Sequence, residues 1–198
     1  MAMIGMRHVV AAAFPDNFTE GSAPTYASGF DVGGAISANL TKNRNTNGDL
    51  YYDDALGESD QGLISLGLEL GVDDLTEEVL DKMGILKAVS TGSPTVTTYY
   101  ETSANPKALG IGYMRVRQKG GTISYQAIWI YKMQFTMDSE SAQTKGESVQ
   151  WQTPTVTGKG FGIKIDSGND LSFREIRTFT TESAASTYLD GKAGITRT

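Results

Sequence analysis

The stretch Gly62-Leu-Ile-Ser-Leu-Gly-Leu-Glu-Leu-Gly-Val72 decides the fold class. From Ile64 onward it alternates: Ile64, Leu66, Leu68, Leu70 and Val72 fall on one side, with Ser65, Gly67, Glu69 and Gly71 opposite. A period of two is the pattern of a strand with one buried face, where a one-residue slip would expose the whole apolar set. A short helix is predicted directly after it, at about 75–83. Asp74 is its expected cap, Glu77 stands three residues on as in a capping box, and Leu75, Val79, Leu80 and Met83 share a face before Gly84.

Working outward, residues 122–137 read as a long strand, with Tyr125, Ala127, Trp129, Tyr131, Met133, Phe135 and Met137 all at odd positions on one face. Further strands are predicted at 6–13, 25–32, 34–41 (Ile36, Ala38 and Leu40 on one face), 96–101, 108–118, 147–157 with Val149 and Trp151, 160–165 and 171–179. A second helix is expected at about 182–190, where Ala184, Ala185, Tyr188 and Leu189 take helical spacing before Gly191, followed by a loose tail from Lys192. Residues 43–61 are polar and glycine-containing. They read as a loop too long for an ordinary hairpin turn, of the kind that is functional or disordered. The expectation is a single mainly-β domain over 1–198, sandwich or barrel-like, with one flanking helix and a C-terminal helix.

Composition narrows the function. Cysteine is absent, which excludes disulfides, zinc-thiolate sites and thiol catalysis. No run approaches a membrane span, and residues 1–14 carry Arg7 and His8 where a secretory leader would be apolar. The net charge of −6 argues against tight nucleic-acid binding. Charge is also segregated. Between Asn45 and Asp81 there are eleven acids and no Lys or Arg, leaving +5 for the rest of the chain.

No motif carries chemistry. His8 is the only histidine, has no acid near it in sequence and has no G-x-S-x-G nucleophile to serve. The pairs Asp53–Asp54 and Asp73–Asp74 suit a polar loop and a helix start. Asn43, Asn45, Asn47, Gly48, Asp49, Tyr51 and Asp54 match the spacing of a calcium loop, but with Asn first, Asp last and no helix before it. Gly158, Gly160 and Gly162 lack the helix and lysine of a phosphate cradle and read as a flexible connection. Trp129 and Trp151 read as core residues of alternating strands. Neither an enzymatic activity nor a cofactor is expected.

Several stretches are informative together: Gly34-Ala-Ile-Ser-Ala-Asn-Leu40, Leu50-Tyr-Tyr-Asp-Asp54, Leu68-Glu-Leu-Gly-Val-Asp-Asp-Leu75, Trp129-Ile-Tyr-Lys132, Thr144-Lys-Gly-Glu147 and Trp151-Gln-Thr-Pro-Thr-Val-Thr-Gly158. In order and spacing, from about residue 5 to 165, they resemble the major tail proteins of siphophages, phi13-type. The resemblance implies a tail-tube fold, a β-sandwich or barrel with a flanking helix, shared with contractile-tail tubes and the secreted tube of type VI secretion. It implies hexameric rings paired strand edge to strand edge and stacked into a tube through which phage DNA passes without specific binding. The partners implied are further copies of the chain, a tape measure protein, a tail terminator and tail-tip proteins, with no membrane. The protein would be made in the host cytoplasm and reside in the virion tail.

By order in the chain, the segment reaching neighbouring subunits would be the 43–61 loop, with Asn47, Gly48, Asp49, Leu50, Tyr51, Tyr52, Asp53, Asp54 and Leu56. Glu69, Asp73, Asp74 and Glu77 are candidates for an acidic lumen, since a wall carrying DNA should not hold phosphates. A ring also gives every exposed strand edge a partner. Residues 166–198 have no counterpart in the resemblance and form an extension of open role. The alternative is a β-sandwich module binding carbohydrate or receptor at a tail tip, with Tyr51 and Tyr52 as its aromatic contacts.

Overall fold

The structure is a computed structural model. It describes residues 2–45, 48–52, 55–138, 153–168 and 170–197, and for 49–52 and 55–59 the backbone alone. In chain order the elements are β1 (Ala2–Ala13), β2 (Phe30–Gly33), β3 (Ala35–Arg44), β4 (Gly48–Tyr52), β5 (Ala55–Asp60), β6 (Leu63–Val72), α1 (Glu77–Met83) and β7 (Leu86–Thr91). There follow β8 (Val96–Glu101), β9 (Leu109–Lys119), β10 (Thr122–Thr136), β11 (Thr155–Gly160), β12 (Arg174–Phe179) and α2 (Glu182–Ala193). The chain is mainly β, with antiparallel sheets and two helices, in keeping with the expected fold class.

The main sheet runs β2-β1-β9-β10-β11-β6-β3, with β12 pairing the first half of β10. It curls far enough for β3 to touch β1. The concave side encloses the larger core, with Leu66, Leu68, Leu70 and Val72 of β6 facing Ile111 and Tyr113 of β9 and Ile128 and Ile130 of β10. Met83 of α1 closes one end of it. A second core lies on the convex side, where α2 lays Ala185, Leu189 and Ala193 over Val10, Met114 and Trp129. Gly110 and Gly112 make room for it. A Cβ on Gly112 would stand 2.6 Å from the Trp129 ring, and one on Gly110 2.7 Å.

The strand 122–137 is present, but its sidedness differs from the pattern. Ala127, Trp129 and Tyr131 face the convex core, whereas Met133 and Phe135 face the concave one with Ile128 and Ile130. The pairing of β10 with β9 shifts between Ile130 and Met133, and this bulge exchanges the two faces. Alternation could not reveal it, because both faces are buried here.

Other boundaries move for local reasons. The N-terminal strand begins at Ala2, and the strand expected at 25–32 reduces to β2. β7 was not expected. The stretch 160–165 contributes one isolated bridge, Ile163 to Ser172. Of the strand expected at 147–157, Thr155 onward is β11, while Val149 and Trp151 lie outside the described residues. Ile64 and Ile36 are 62% and 50% exposed. The neighbour β11 pairs β6 only from Leu66 to Gly71, leaving Ile64 beyond that wall, and a register shift between Ala35 and Ser37 releases Ile36.

Both helices are capped differently from the reading above. The α1 cap is Thr76, whose hydroxyl accepts from Val79 N, and Gly84 ends the helix at φ 78°. The Asp73 carboxylate instead accepts from Gly34 N at 2.6 Å and Asp74 N at 2.8 Å, tying the end of β6 to the β2–β3 corner. Helix α2 runs through Gly191 and stops at Gly194. Its tail is held: Arg197 forks onto Asp190 and Asp31.

Within 43–61, Gly48–Tyr52 pairs with Ala55–Asp60 as β4 and β5, and the hydrogen bond from Asn45 N to Gly62 O at 2.9 Å carries the β3–β6 ladder one step beyond Arg44. Strands thus stand where the sequence reads as a long irregular loop. Once β3 and β6 pair, the following residues are already held opposite one another, which lowers the entropic cost of extending the ladder.

Candidate functional site

The densest polar cluster joins elements that are far apart in sequence. His8 sits at a bulge of β1 with φ 56°, and its Nε2 lies 2.9 Å from Asp190 Oδ1. Arg197 donates through Nε to Asp190 Oδ2 at 2.7 Å and through Nη2 to Asp31 Oδ1 at 2.7 Å. Burial alone would raise the Asp190 carboxyl, but the hydrogen bonds from Arg197 and the charge of His8 outweigh it and hold the group below its ordinary value. A catalytic dyad would present its histidine to a nucleophile. Here the bonds described for His8 end at Asp190. The cluster clamps β1, β2 and the C-terminal tail together.

Glu175 on β12 organises a second cluster. It accepts from Tyr188, from Tyr131 at 3.2 Å and from Lys192 at 2.6 Å. Burial pushes its carboxyl up, and Lys192 and Tyr188 more than reverse this. Both clusters fasten α2 to the sheet.

Two members of the calcium-like run have other partners. Asn43 lies in β3 and donates to Ser65, Asn45 donates to Asp60, and Asp49 and Tyr51 fall in β4. Asn47 and Asp54 lie outside the described residues. Among the described residues no group of three His, Cys, Asp or Glu could hold a metal, and no helix is long and apolar enough to cross a membrane. Gly158 and Gly160 belong to β11 rather than to a flexible connection, and a Cβ on Gly158 would stand 2.6 Å from Phe135. A cleft of about 480 Å³ opens where Leu80, Leu86, Pro106, Phe135 and Met137 meet, with Glu101 and Asp138 at its margin.

The sheet also presents surfaces outside its two cores. Among the described residues, the outer face of β3, β6 and β11 has no helix over it. Ser37, Asn39 and Thr41, Glu69, and Thr155, Thr157 and Lys159 stand exposed on it. β3 is the last strand of the sheet, and among the described residues no strand is hydrogen-bonded to its far edge, although β1 comes close to it where the sheet curls. Beyond that edge strand lie the paired strands β4 and β5, with five residues in β4, about 17 Å at about 3.3 Å per residue.

The sequence-derived candidates are distributed over these surfaces. Gly48, Asp49, Leu50, Tyr51 and Tyr52 lie in β4 and Leu56 in β5, while Asn47, Asp53 and Asp54 lie outside the described residues. Glu69 stands mid-strand on the bare face. Asp73, Asp74 and Glu77 gather about four residues further along, at the β6–α1 corner, so the four acids do not share one face. Sequence reasoning missed the His8–Asp190–Arg197 clamp and the Glu175 cluster. Their members are scattered, and no local spacing signals them. Compared with known proteins, the chain matches no family model and no curated protein.

Proposed function

We propose that this chain is a virion structural protein, the major tail protein whose stacked hexameric rings form the tube of a long non-contractile phage tail. The observation that carries the reading is the long edge strand β3, prolonged by the β4–β5 arm and flanked by a bare polar sheet face. An edge of this length without a hydrogen-bonded neighbour strand invites pairing with another chain, and ring closure satisfies it in every copy. In this reading the arm reaches a neighbouring subunit, the β3–β6–β11 face with Glu69 is a candidate lumen wall, and α2 lies on the tube exterior. Tape measure, terminator and tail-tip proteins are its partners, and DNA passes without specific binding.

Electron microscopy and sedimentation of the purified protein over a hundredfold concentration range test this. Rings and tubes are expected at high concentration, and monomers when dilute. A dimer that persists throughout and never forms rings sinks the proposal. A second reading, a tail-tip binding module, is favoured by Val96 and Tyr100, 59% and 53% exposed on the β7–β8 hairpin. Glycan binding by a monodisperse monomer, lost in Tyr100→Ala, would select it.

A further inference from the structure

Beside α2 the cations find partners: Arg7 pairs with Glu182, Lys192 with Glu175, and Arg177 stacks on Tyr188. On the opposite face of the same strands they find no carboxylate among the described residues, and Arg115 Nη1 donates to the Met3 sulfur at 3.8 Å. β1, β9, β10 and β12 extend past the mouth of the barrel, and the register sets Arg115 opposite Gln126 and Met6, Arg117 opposite Ser124 and Met3, and Arg174 opposite Ile130. Arg115 Nε and Arg117 Nε are buried without a hydrogen-bond partner. Among the described residues no carboxylate pairs with Arg115, Arg117 or Arg174. Desolvation and then the neighbouring charges of Arg174 and Arg117 lower the Arg115 pKa, while Tyr113 opposes this. Around them Met3 is 61% exposed and Ile176 42%. Half-buried guanidinium groups ringed by exposed apolar side chains are the composition of an interface core.

The other end of the barrel is its electrostatic complement. β10 runs from the arginine face toward the α1 end, about 33 Å from Gln126 to Thr136 at about 3.3 Å per residue. There Asp74 and Glu77 are exposed and unpaired among the described residues, with Glu101 and Asp138 nearby on the cleft. Lys82 is already taken by Glu78 and Lys107 by the Asp81 carbonyl, while Lys87 stands exposed on β7 next to Leu86, so the carboxylates outnumber the open cations here. Opposite charges at opposite ends cannot meet within one copy, and they meet when copies lie head to tail.

We infer that the face of Arg115, Arg117 and Arg174 receives the α1-end carboxylates, Asp74 and Glu77, of a second copy of this chain. Such a contact joins two different surfaces, so it repeats without closing and stacks copies along one axis. The inference rests on the tube reading for this head-to-tail direction.

Arg117→Glu with Arg174→Glu tests it, with thermal unfolding as the folding control and Arg117→Gln as a milder variant. The expected result is single rings that no longer stack, with the concentration threshold for tubes raised about thirtyfold or more, as when one side of a desolvated charge pair is lost. Adding Asp74→Lys and Glu77→Lys to the same chain restores stacking. Tubes at the wild-type threshold overturn the inference and leave the tube reading standing. Restoration by Asp49→Lys in place of the α1 substitutions also overturns it, by assigning the contact to the arm. If the wild type forms no rings, the tube reading fails and sedimentation decides the contact. Salt-sensitive self-association lost in the arginine variant supports it; identical behaviour of the two proteins overturns it. Binding of inorganic phosphate or a single-stranded oligonucleotide to a monomer through these arginines, without self-association, overturns it in favour of a polyanion site.

Discussion

His8 Nε2 and Asp190 Oδ1 lie 2.9 Å apart although 182 residues separate them in sequence. This pair fastens the first strand to the last helix, and Arg197 extends it to Asp31 on β2. A stretch with no counterpart in the tail-protein resemblance is thereby a structural part of the domain.

Replacing Asp190 should therefore destabilise the whole fold. Asp190→Asn is expected to cost about 2 kcal/mol at neutral pH, since hydrogen bonds to charged groups contribute about 1.5–3 kcal/mol. The folded-state pKa lies below the unfolded value of about 3.9, so the contribution is complete above that value and lost as pH falls through the folded pKa. Urea unfolding at pH 7 and pH 3 should show the gap between wild type and variant narrowing in acid. An unchanged gap would mean that the carboxylate charge is not what matters.

Gly112→Ala places a methyl group 2.6 Å from the Trp129 ring and 2.8 Å from Leu189 Cδ2. Overpacking of this kind costs about 1–3 kcal/mol. Denaturant midpoints should fall accordingly, with α2 loosening first in amide exchange. Gly191→Ala, which meets nothing within 4 Å, is the control and should leave stability unchanged or raised.

Helix α1 offers a test of its cap. Thr76→Ala should cost about 1 kcal/mol, whereas Asp74→Ala should cost a few tenths at most, because the Thr76 hydroxyl receives Val79 N. Equal losses in thermal unfolding would return Asp74 to the capping role.

Replacing residues 48–60 by a short Gly-Ser turn removes the β4–β5 arm without touching either core. The monomer's melting temperature should stay nearly constant while rings or tubes disappear. Polymerisation of the shortened chain would remove the arm from assembly.

Glu69→Lys reverses a charge on the bare sheet face while leaving the ladder intact. Under the proposed tube reading, virions carrying it should assemble and release DNA more slowly, because a second lysine beside Lys159 on a lumen wall attracts phosphate. Normal release kinetics would take Glu69 out of the lumen. Asp73 is unsuitable for this test, since its carboxylate holds Gly34 in place.

How far the sequence is legible depends on whether each signal is local. The β6 run alternates against one core, so Leu66, Leu68, Leu70 and Val72 could be assigned to the interior from their spacing alone. Leu80 and Met83 of α1 were equally readable, because Gly84 and the apolar period mark the helix within ten residues. In β10 the same method found the strand and misjudged its sides. When both faces are apolar, periodicity carries no information about which core each residue enters, and a bulge leaves no mark. The β4–β5 arm was hidden for another reason: its pairing is inherited from the ladder behind it, not from its own composition.

By itself, then, the chain's alternation, glycine placement and lack of cysteine determined a mainly-β domain with two short helices, and its charge pattern set an acidic stretch between Asn45 and Asp81 apart from a net-positive remainder that follows it. Tertiary structure alone decided which charges are satisfied. Arg7, Arg115, Arg117, Arg174 and Arg197 are alike in sequence. Folding brings Glu182 to the first and Asp190 and Asp31 to the last, and leaves the three between them without a described carboxylate. Electrostatic pairing depends on distance in space, over a few ångströms, and the one-dimensional order of residues holds no record of that distance until the sheet has curled.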